Sequence, residues 1–127
     1  MPDHTLLETF PAPSDQPFVF EHVSEEFTSV CPMTGHPDFV DVILRYEPKP
    51  ANQGGVCVEL KSLKMYYQSF RNEGIFYEAV TNTIRDHLQA CVDARWLQIV
   101  TVWKGRGGIR SRITATAGDV PTEYRGA

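Results

Sequence analysis

The sequence predicts an α+β protein, in which one small antiparallel sheet is covered by a layer of helices. Apolar residues alternate with a period of two in segments toward both ends of the chain. In the middle they recur at three- and four-residue steps, which is typical of amphipathic helices. The order is therefore strands, a helix pair, then strands, and helices segregated from strands favour an antiparallel sheet. With 127 residues, the chain corresponds to a single domain.

The N-terminal third is predicted to hold an arm and three strands. Residues 1–17 contain four prolines and no sustained period, which indicates an extended arm before a single folded domain of residues 18–127. Residues 18–30 are rich in aromatic and β-branched residues and predict a strand. A second strand follows, in which four residues alternate on one face: Val40, Val42, Leu44 and Tyr46. "EPKPANQGG" then predicts a hairpin loop, with "VCVEL" as the short strand returning from it.

Two helices and two more strands complete the prediction. The first helix is indicated by Leu60, Leu63, Tyr67 and Phe70, and the second by Phe76, Val80, Ile84, Leu88 and Cys91. Asn72 is a candidate N-cap for the second helix. From Trp96 the period returns to two, "KGRGG" forms a turn, and residues 109–116 predict the last strand. The uncovered edges of so small a sheet favour oligomerisation.

Composition excludes several functional classes. The net charge of −4 argues against a dedicated nucleic-acid or membrane-surface binder, since these proteins usually carry a basic excess. No apolar run approaches a membrane span, and the N-terminus lacks the pattern of a signal peptide. The three cysteines cannot all pair within one chain, which indicates a reducing, cytoplasmic compartment.

The segment "FTSVCPMTGHPDF" contains the first candidate site. Cys31 lies in a predicted turn after a strand and is open to three interpretations: a small buried thiol, a nucleophile or a metal ligand. The metal interpretation is weaker, since no C-x-x-C or H-x-x-x-H pair is present. Asp38 lies close enough in sequence to share a site with Cys31, where a protonated carboxyl would serve as a general acid.

A second candidate site is basic. Lys61 and Lys64 share a helix face, and Arg71 falls on roughly the same side. Such a face is usually only solvated, but it could also bind an anion such as the phosphates of a dinucleotide. Since no G-x-G-x-x-G motif is present, side chains would have to hold the dinucleotide. Glu78 lies in the first turn of the second helix, where the helix dipole alone accounts for a negative charge.

Three segments in this order carry a family resemblance: "FTSVCPMTGHPDF", "CVELKSLKMYYQSFRNEGIFYE" and "GRGGI". They resemble the short form of the NADPH-dependent 7-cyano-7-deazaguanine reductases, the nitrile reductases of queuosine biosynthesis, over about residues 20–110. The resemblance implies the tunnelling fold, which is related to GTP cyclohydrolase I and carries two helices on one face of an antiparallel sheet. It also implies that subunits join their sheets into a β-barrel ring, that rings can stack, and that active sites lie between subunits.

The resemblance also implies roles for individual residues. Cys31 matches the nucleophile that forms a covalent thioimide, and Asp38 matches the proton donor. The residues implied to contact the deazapurine nitrile are Val58, Glu59, Leu60, Tyr77 and Glu78, and those implied to hold NADPH are Lys61, Lys64 and Arg106. No metal is implied. Two NADPH would be consumed in reducing the nitrile to the primary amine.

Tyr77 departs from the family pattern, which often has histidine at this position. A phenol can form hydrogen bonds, but it does not become a cation near neutral pH as imidazole does. Two alternatives to the reductase remain open at this point. One is a related amidinotransferase, which forms the same thioimide but acts on a tRNA-bound nitrile, and the other is a non-catalytic module that binds deazapurines.

Overall fold

The computed structural model describes residues 2–125, except for the side chain of Arg106. The strands are β1 (Thr9–Pro11), β2 (Phe20–Val30), β3 (Pro37–Glu47), β4 (Val56–Val58), β5 (Trp96–Arg106) and β6 (Ile109–Gly118). The helices are α1 (Leu60–Gln68), α2 (Tyr77–Val92) and the short α3 (Thr122–Arg125), with 3-10 turns at His4–Leu6 and Ala51–Gln53. The α+β prediction is therefore confirmed.

The main sheet is antiparallel and has the strand order β2-β3-β5-β6. The alternation predicted for β3 is confirmed, because Val40, Val42, Leu44 and Tyr46 are all buried in the core. The same core contains residues from both long helices, including Leu63 and Tyr66 of α1 and Val80, Ile84 and Leu88 of α2. The apolar face of the sheet and the two helices thus form one hydrophobic core.

The two long helices begin in different ways. Glu59 is the N-cap of α1, and its carboxylate accepts hydrogen bonds from the amides of Lys61 and Ser62 at 2.7 and 2.9 Å. The N-cap of α2 is Phe76, which makes no side-chain capping bond, so the Asn72 cap is wrong. The first residues of α2 are therefore held by tertiary contacts rather than by a cap.

The predicted hairpin between β3 and β4 is also wrong. β4 pairs with β1 from the N-terminal arm, with Thr9 opposite Val58 and Pro11 opposite Val56. β3 has no edge to offer β4, since β2 pairs with one side of it and β5 with the other. The "EPKPANQGG" segment instead contains the Ala51–Gln53 turn and leads the chain away from the main sheet.

The C-terminal residues contact the face of the sheet opposite the long helices. Gln98 on β5 is buried, and its side-chain amide donates to the backbone oxygen of Tyr124 at 2.8 Å. Arg45 on β3 donates to the other end of that amide at 2.9 Å. No helix within residues 2–125 is long and apolar enough to cross a membrane.

Candidate active site

The loop between β2 and β3 holds Cys31 in a tight turn. The Cys31 amide donates to the His36 carbonyl at 2.9 Å, and the Gly35 amide donates to the Cys31 carbonyl at 2.8 Å. Gly35 has φ of 73°, in the left-handed region that glycine adopts without a steric penalty. Cys31 is half-buried and lies one residue beyond the end of β2. The turn therefore fixes the backbone that carries the thiol.

Asp38 lies on the neighbouring strand at the same end of the sheet. It pairs with Ser29 of β2, two residues before Cys31, and is 5% exposed. Because side chains alternate along β3, Asp38 shares the helix-facing side with Val40. The two residues implied to be catalytic are thus brought together by one β-hairpin, although they are seven positions apart in the chain.

Tyr77, the first residue of α2, extends this group of residues. Its hydroxyl donates a hydrogen bond to Asp38 Oδ1 at 3.3 Å. Its ring stacks on the indole of Trp103, with centroids 3.8 Å apart and planes 14° from parallel. Glu78 follows in the first turn of α2 and is exposed. The N-terminal end of α2 and the β2–β3 turn therefore meet around Asp38; we call Cys31, Asp38 and Tyr77 the hairpin site.

The other two cysteines are poorly suited to nucleophilic chemistry. Cys57 is completely buried and Cys91 is half-buried. Burial raises the pKa of both thiols, so less thiolate is present near neutral pH. Within residues 2–125, no three His, Cys, Asp or Glu side chains are placed to share a metal ion.

The predicted cofactor residues lie elsewhere, along a cleft between β2 and α1. This cleft has a volume of about 970 Å³ and is lined by residues that include Lys61, Lys64 and Arg71. The shared basic face predicted from the sequence is therefore confirmed. Neither Cys31 nor Asp38 belongs to the described lining of the cleft. The hairpin site and the cleft are thus two separate regions of the described chain.

The Val58–Leu60 segment begins at the core and ends at this cleft. Val58 is buried, and its amide donates to the hydroxyl of Tyr46 at 3.0 Å. Glu59 caps α1, as described above, and also lines the cleft. Leu60 is 61% exposed beside it. The side chain of Arg106, the third predicted cofactor residue, lies outside the described residues.

Three residues near Asp38 were not predicted as part of the site: Thr81, Thr101 and Trp103. Each is at most 1% exposed, and they are joined by hydrogen bonds behind Tyr77. The sequence did carry a signal, since Thr81 and Thr101 place hydroxyl groups on the apolar faces of α2 and β5. Buried hydroxyls need hydrogen-bond partners. A buried network of such hydrogen bonds makes the surrounding side chains rigid, as a site with a fixed geometry requires.

Comparison with known proteins identifies the family. The model of the QueF-like protein family matches residues 37–122, which is more than half of the chain. The chain belongs to the QueF-like family. This confirms the family resemblance seen in the sequence.

Several relatives of this QueF-like chain carry the name NADPH-dependent 7-cyano-7-deazaguanine reductase. The protein from Prosthecochloris aestuarii is 52% identical over 112 residues, which cover 87% of this chain and 91% of the relative. The one from Anaeromyxobacter sp. strain K is 51% identical over 116 residues, which cover 91% of each chain. The Rhodopirellula baltica protein is 51% identical over 115 residues, which cover 89% of this chain and 90% of the relative.

A solved structure supports the fold. The archaeosine synthase QueF-Like in the apo form superposes on this QueF-like chain with a TM-score of 0.69, covering 87% of this chain and 99% of that one. At 21% sequence identity, this similarity shows a shared fold and does not bear on the reaction.

Proposed function

We propose that this protein is an NADPH-dependent reductase that converts the nitrile of 7-cyano-7-deazaguanine to a primary amine in queuosine biosynthesis. The proposal rests on sequence identity: the chain is 52% and 51% identical, over 87% and 91% of its length, to two proteins that bear that name. The hairpin site supports it, because a thiol and a buried carboxyl at one end of a sheet suit covalent addition to a nitrile.

Cys31 and Asp38 have complementary roles in this proposal. The Cys31 sulfur forms a C–S bond with the electrophilic nitrile carbon, and the nitrile nitrogen gains a proton, which gives a thioimide. Asp38, buried beside the turn, is the proton donor to that nitrogen. After the first reduction the C–S bond breaks, Cys31 leaves as thiolate, and an imine remains. Protonation of the nitrogen accompanies the second reduction and yields the amine.

NADPH, when bound, would supply one hydride, so two NADPH molecules would be used for each amine formed. One side of the cleft fits such a group, since Lys61, Lys64 and Arg71 present positive charge to a space of about 970 Å³, whereas Glu25 and Glu26 on β2 line the other side and leave the phosphates to the cations. These side chains would hold its phosphates without a Rossmann glycine turn. We assign Arg106 to the same role on the resemblance alone.

We assign the deazapurine to a second set of residues, which the family resemblance implies: Val58, Glu59, Leu60, Tyr77 and Glu78. Carboxylates suit a guanine-like edge, because they accept hydrogen bonds from ring N–H groups and an exocyclic amine. Glu78 is exposed and able to turn toward a ligand, whereas Glu59 already accepts two backbone amides. A carboxylate has about four lone-pair positions, so Glu59 retains the capacity to bind.

We further propose that the protein assembles into a ring in which neighbouring subunits complete each site. β2 and β6 are the outer strands of the described sheet, and an outer strand offers groups for pairing with another chain. Met33, Phe39 and Phe76, around the hairpin site, are 78%, 57% and 56% exposed. Assembly would cover these side chains and could bring the cleft of one subunit to the hairpin site of the next.

Residues 18–127 would then form the catalytic domain, with residues 1–17 as an arm that contributes β1. We place the protein in the cytoplasm, where thiols remain reduced. The amidinotransferase alternative is less favoured, since relatives about 50% identical over most of the chain are named as NADPH-dependent reductases.

A stoichiometry measurement tests the proposed reaction. The purified protein is mixed with 7-cyano-7-deazaguanine and NADPH, and both NADPH loss and amine formation are followed. We expect two NADPH consumed per amine, because both hydrides come from nicotinamide. An unchanged nitrile with no NADPH loss would reject the reductase, and a covalent adduct without reduction would favour the amidinotransferase or the binding module.

A further inference from the structure

A chain of buried hydrogen bonds lies behind Tyr77. The Trp103 indole N–H donates to Thr101 Oγ1 at 2.8 Å, and Thr101 Oγ1 lies 2.7 Å from Thr81 Oγ1. Thr81 Oγ1 in turn donates to the backbone oxygen of Tyr77 at 3.0 Å. Both threonines are completely buried and Trp103 is 1% exposed. The chain connects β5 to the first residue of α2.

The proton positions in this chain follow from counting donors. Each threonine hydroxyl has one proton to give. Since Thr81 gives its proton to Tyr77, Thr101 must give its own to Thr81, and the indole then supplies Thr101. All three hydrogen bonds can form only in this direction, and each of the three buried donors then has an acceptor. A fully satisfied buried network of this kind is rigid.

Tyr77 is consequently fixed at two points. The threonine relay, by which we mean Thr81 and Thr101, holds its backbone, and the Trp103 indole stacks on its ring with centroids 3.8 Å apart. The phenol that remains is directed at Asp38 Oδ1 at 3.3 Å. This distance is longer than the roughly 2.5–3.0 Å usual for an O–H···O bond, and catalytic hydrogen bonds are often long before the substrate binds.

We propose that Tyr77 is a positioning residue for Asp38 and that the threonine relay with Trp103 sets the position of Tyr77. The phenol orients the carboxyl of Asp38 toward the reacting nitrogen. This rests on the proposed nitrile reduction with Asp38 as proton donor. It assigns the phenol hydroxyl to Asp38 and leaves the ring of Tyr77 for the deazapurine contact proposed above, so loss of the hydroxyl acts on the rate of bond formation and not on affinity.

The test separates thioimide formation from substrate binding. Both are measured without NADPH: the rate of adduct formation by quench and intact mass, and the dissociation constant of 7-cyano-7-deazaguanine by calorimetry on a Cys31→Ala background. In Tyr77→Phe, which keeps the ring, we expect adduct formation to slow about 10-fold, the upper end of the effect of one lost hydrogen bond. The dissociation constant should change less than about 2-fold.

A matched control and a relay variant complete the design. Tyr124→Phe makes the same chemical change in another tyrosine that packs on a tryptophan, Trp96, and should leave the adduct rate unchanged. Thr101→Val should slow adduct formation without weakening binding, and Thr101→Ser, which keeps the hydroxyl, should restore the rate. The Tyr77→Phe, Thr101→Val double variant should be no slower than Tyr77→Phe alone, because the relay acts through the phenol.

Two results would overturn the positioning role. One is a larger dissociation constant for 7-cyano-7-deazaguanine with an unchanged rate of adduct formation in Tyr77→Phe, which would make the phenol hydroxyl a substrate contact. The other is a crystal structure of Tyr77→Phe in which the Asp38 carboxyl keeps its orientation. Failure of the wild-type protein to form any adduct would instead reject the proposed function, and this role with it.

Discussion

The hairpin site and the cleft differ in how firmly their side chains are held. At the hairpin site, Asp38 is 5% exposed and accepts a hydrogen bond from Tyr77, and the buried hydroxyls of the threonine relay lie behind Tyr77. Along the cleft, Lys61 and Lys64 are exposed, and the opposite wall on β2 carries Glu25 and Glu26. One region is preorganised, whereas the other is open and charged.

This difference matches two kinds of chemistry. Covalent addition and proton transfer need reacting groups held within a fraction of an ångström, which buried networks provide. A cofactor that must leave and be replaced within one turnover needs an accessible site with long, adaptable cations. We therefore expect substitutions at the hairpin site to act on rate constants, and substitutions along the cleft to act on cofactor affinity.

The largest effect is expected at Cys31. Cys31→Ala removes the sulfur that we propose forms the C–S bond, so kcat for nitrile reduction should fall on the order of 10⁵-fold or more. NADPH oxidation in the presence of substrate is the measurement. Cys91→Ala is the matched control and should stay near wild-type activity, because burial raises the pKa of that thiol and it lies outside both regions. Equal losses in the two variants would contradict the assignment of the nucleophile.

The next effect is expected at Asp38. Asp38→Asn cannot donate the proton, so the rate of thioimide formation should fall about 10²- to 10⁴-fold, the usual contribution of general acid catalysis. The rate is followed by intact mass. Asp41→Asn is the matched control. Asp41 lies on the same strand but pairs with Lys104 at 3.4 Å, so this variant should form the thioimide at close to the wild-type rate. If Asp38→Asn formed the adduct at the wild-type rate, the hairpin site would not contain the acid.

A smaller and different effect is expected along the cleft. The Lys61→Ala, Lys64→Ala double variant loses two cations, so the KM for NADPH should rise about 10- to 100-fold, the scale of one or two lost charge-assisted bonds. Steady-state kinetics with varied NADPH gives the value. Lys49→Ala removes a lysine that pairs with Asp93 at 2.7 Å and should leave this KM unchanged. A loss in kcat alone would break the proposed division between the two regions.

The smallest effect is expected outside both regions, at His87. Its Nδ1 lies 2.7 Å from the Tyr66 hydroxyl, and burial lowers the pKa of His87 from the ordinary 6.5. The folded state therefore favours the neutral ring. Its stabilising contribution is complete above about pH 6.5 and is lost as pH falls through the lower, folded-state pKa.

Thermal unfolding between pH 7.5 and pH 5 tests this expectation. His87→Gln should lose less stability on acidification than the wild type, by no more than about 5 °C in Tm. Part of the decrease should persist in the variant, because burial also lowers the pKa of His22. Identical decreases in the two proteins would show that His87 does not contribute.

Local patterns predicted most of the fold but not its unusual strand pairing. Alternation from Val40 to Tyr46 defined β3, and the three- and four-residue steps defined α1 and α2. The pairing of β4 with β1 was not predictable, because it depends on β5 pairing with β3 from about 50 to 60 positions along the chain. The local sequence around β3 and β4 does not show that both edges of β3 are paired with other strands.

The candidate site shows a similar limit. Cys31 and Asp38 could be predicted together, since one hairpin joins them. The contact between Tyr77 and Asp38 could not, because it requires the packing of α2 on β3 and β5. The sequence places Thr81 and Thr101 on apolar faces, but the hydrogen bond between them could not be predicted, because it requires the packing of α2 on β5.

Intact mass spectrometry without NADPH tests the division between the two regions most directly. The wild type and the Lys61→Ala, Lys64→Ala variant should both gain the mass of 7-cyano-7-deazaguanine at similar rates, and Cys31→Ala should gain none. Adding NADPH should then clear the adduct quickly from the wild type and slowly from the lysine variant. An adduct on Cys31→Ala, or no adduct on the lysine variant, would contradict the assignment of covalent chemistry to the hairpin site and cofactor binding to the cleft.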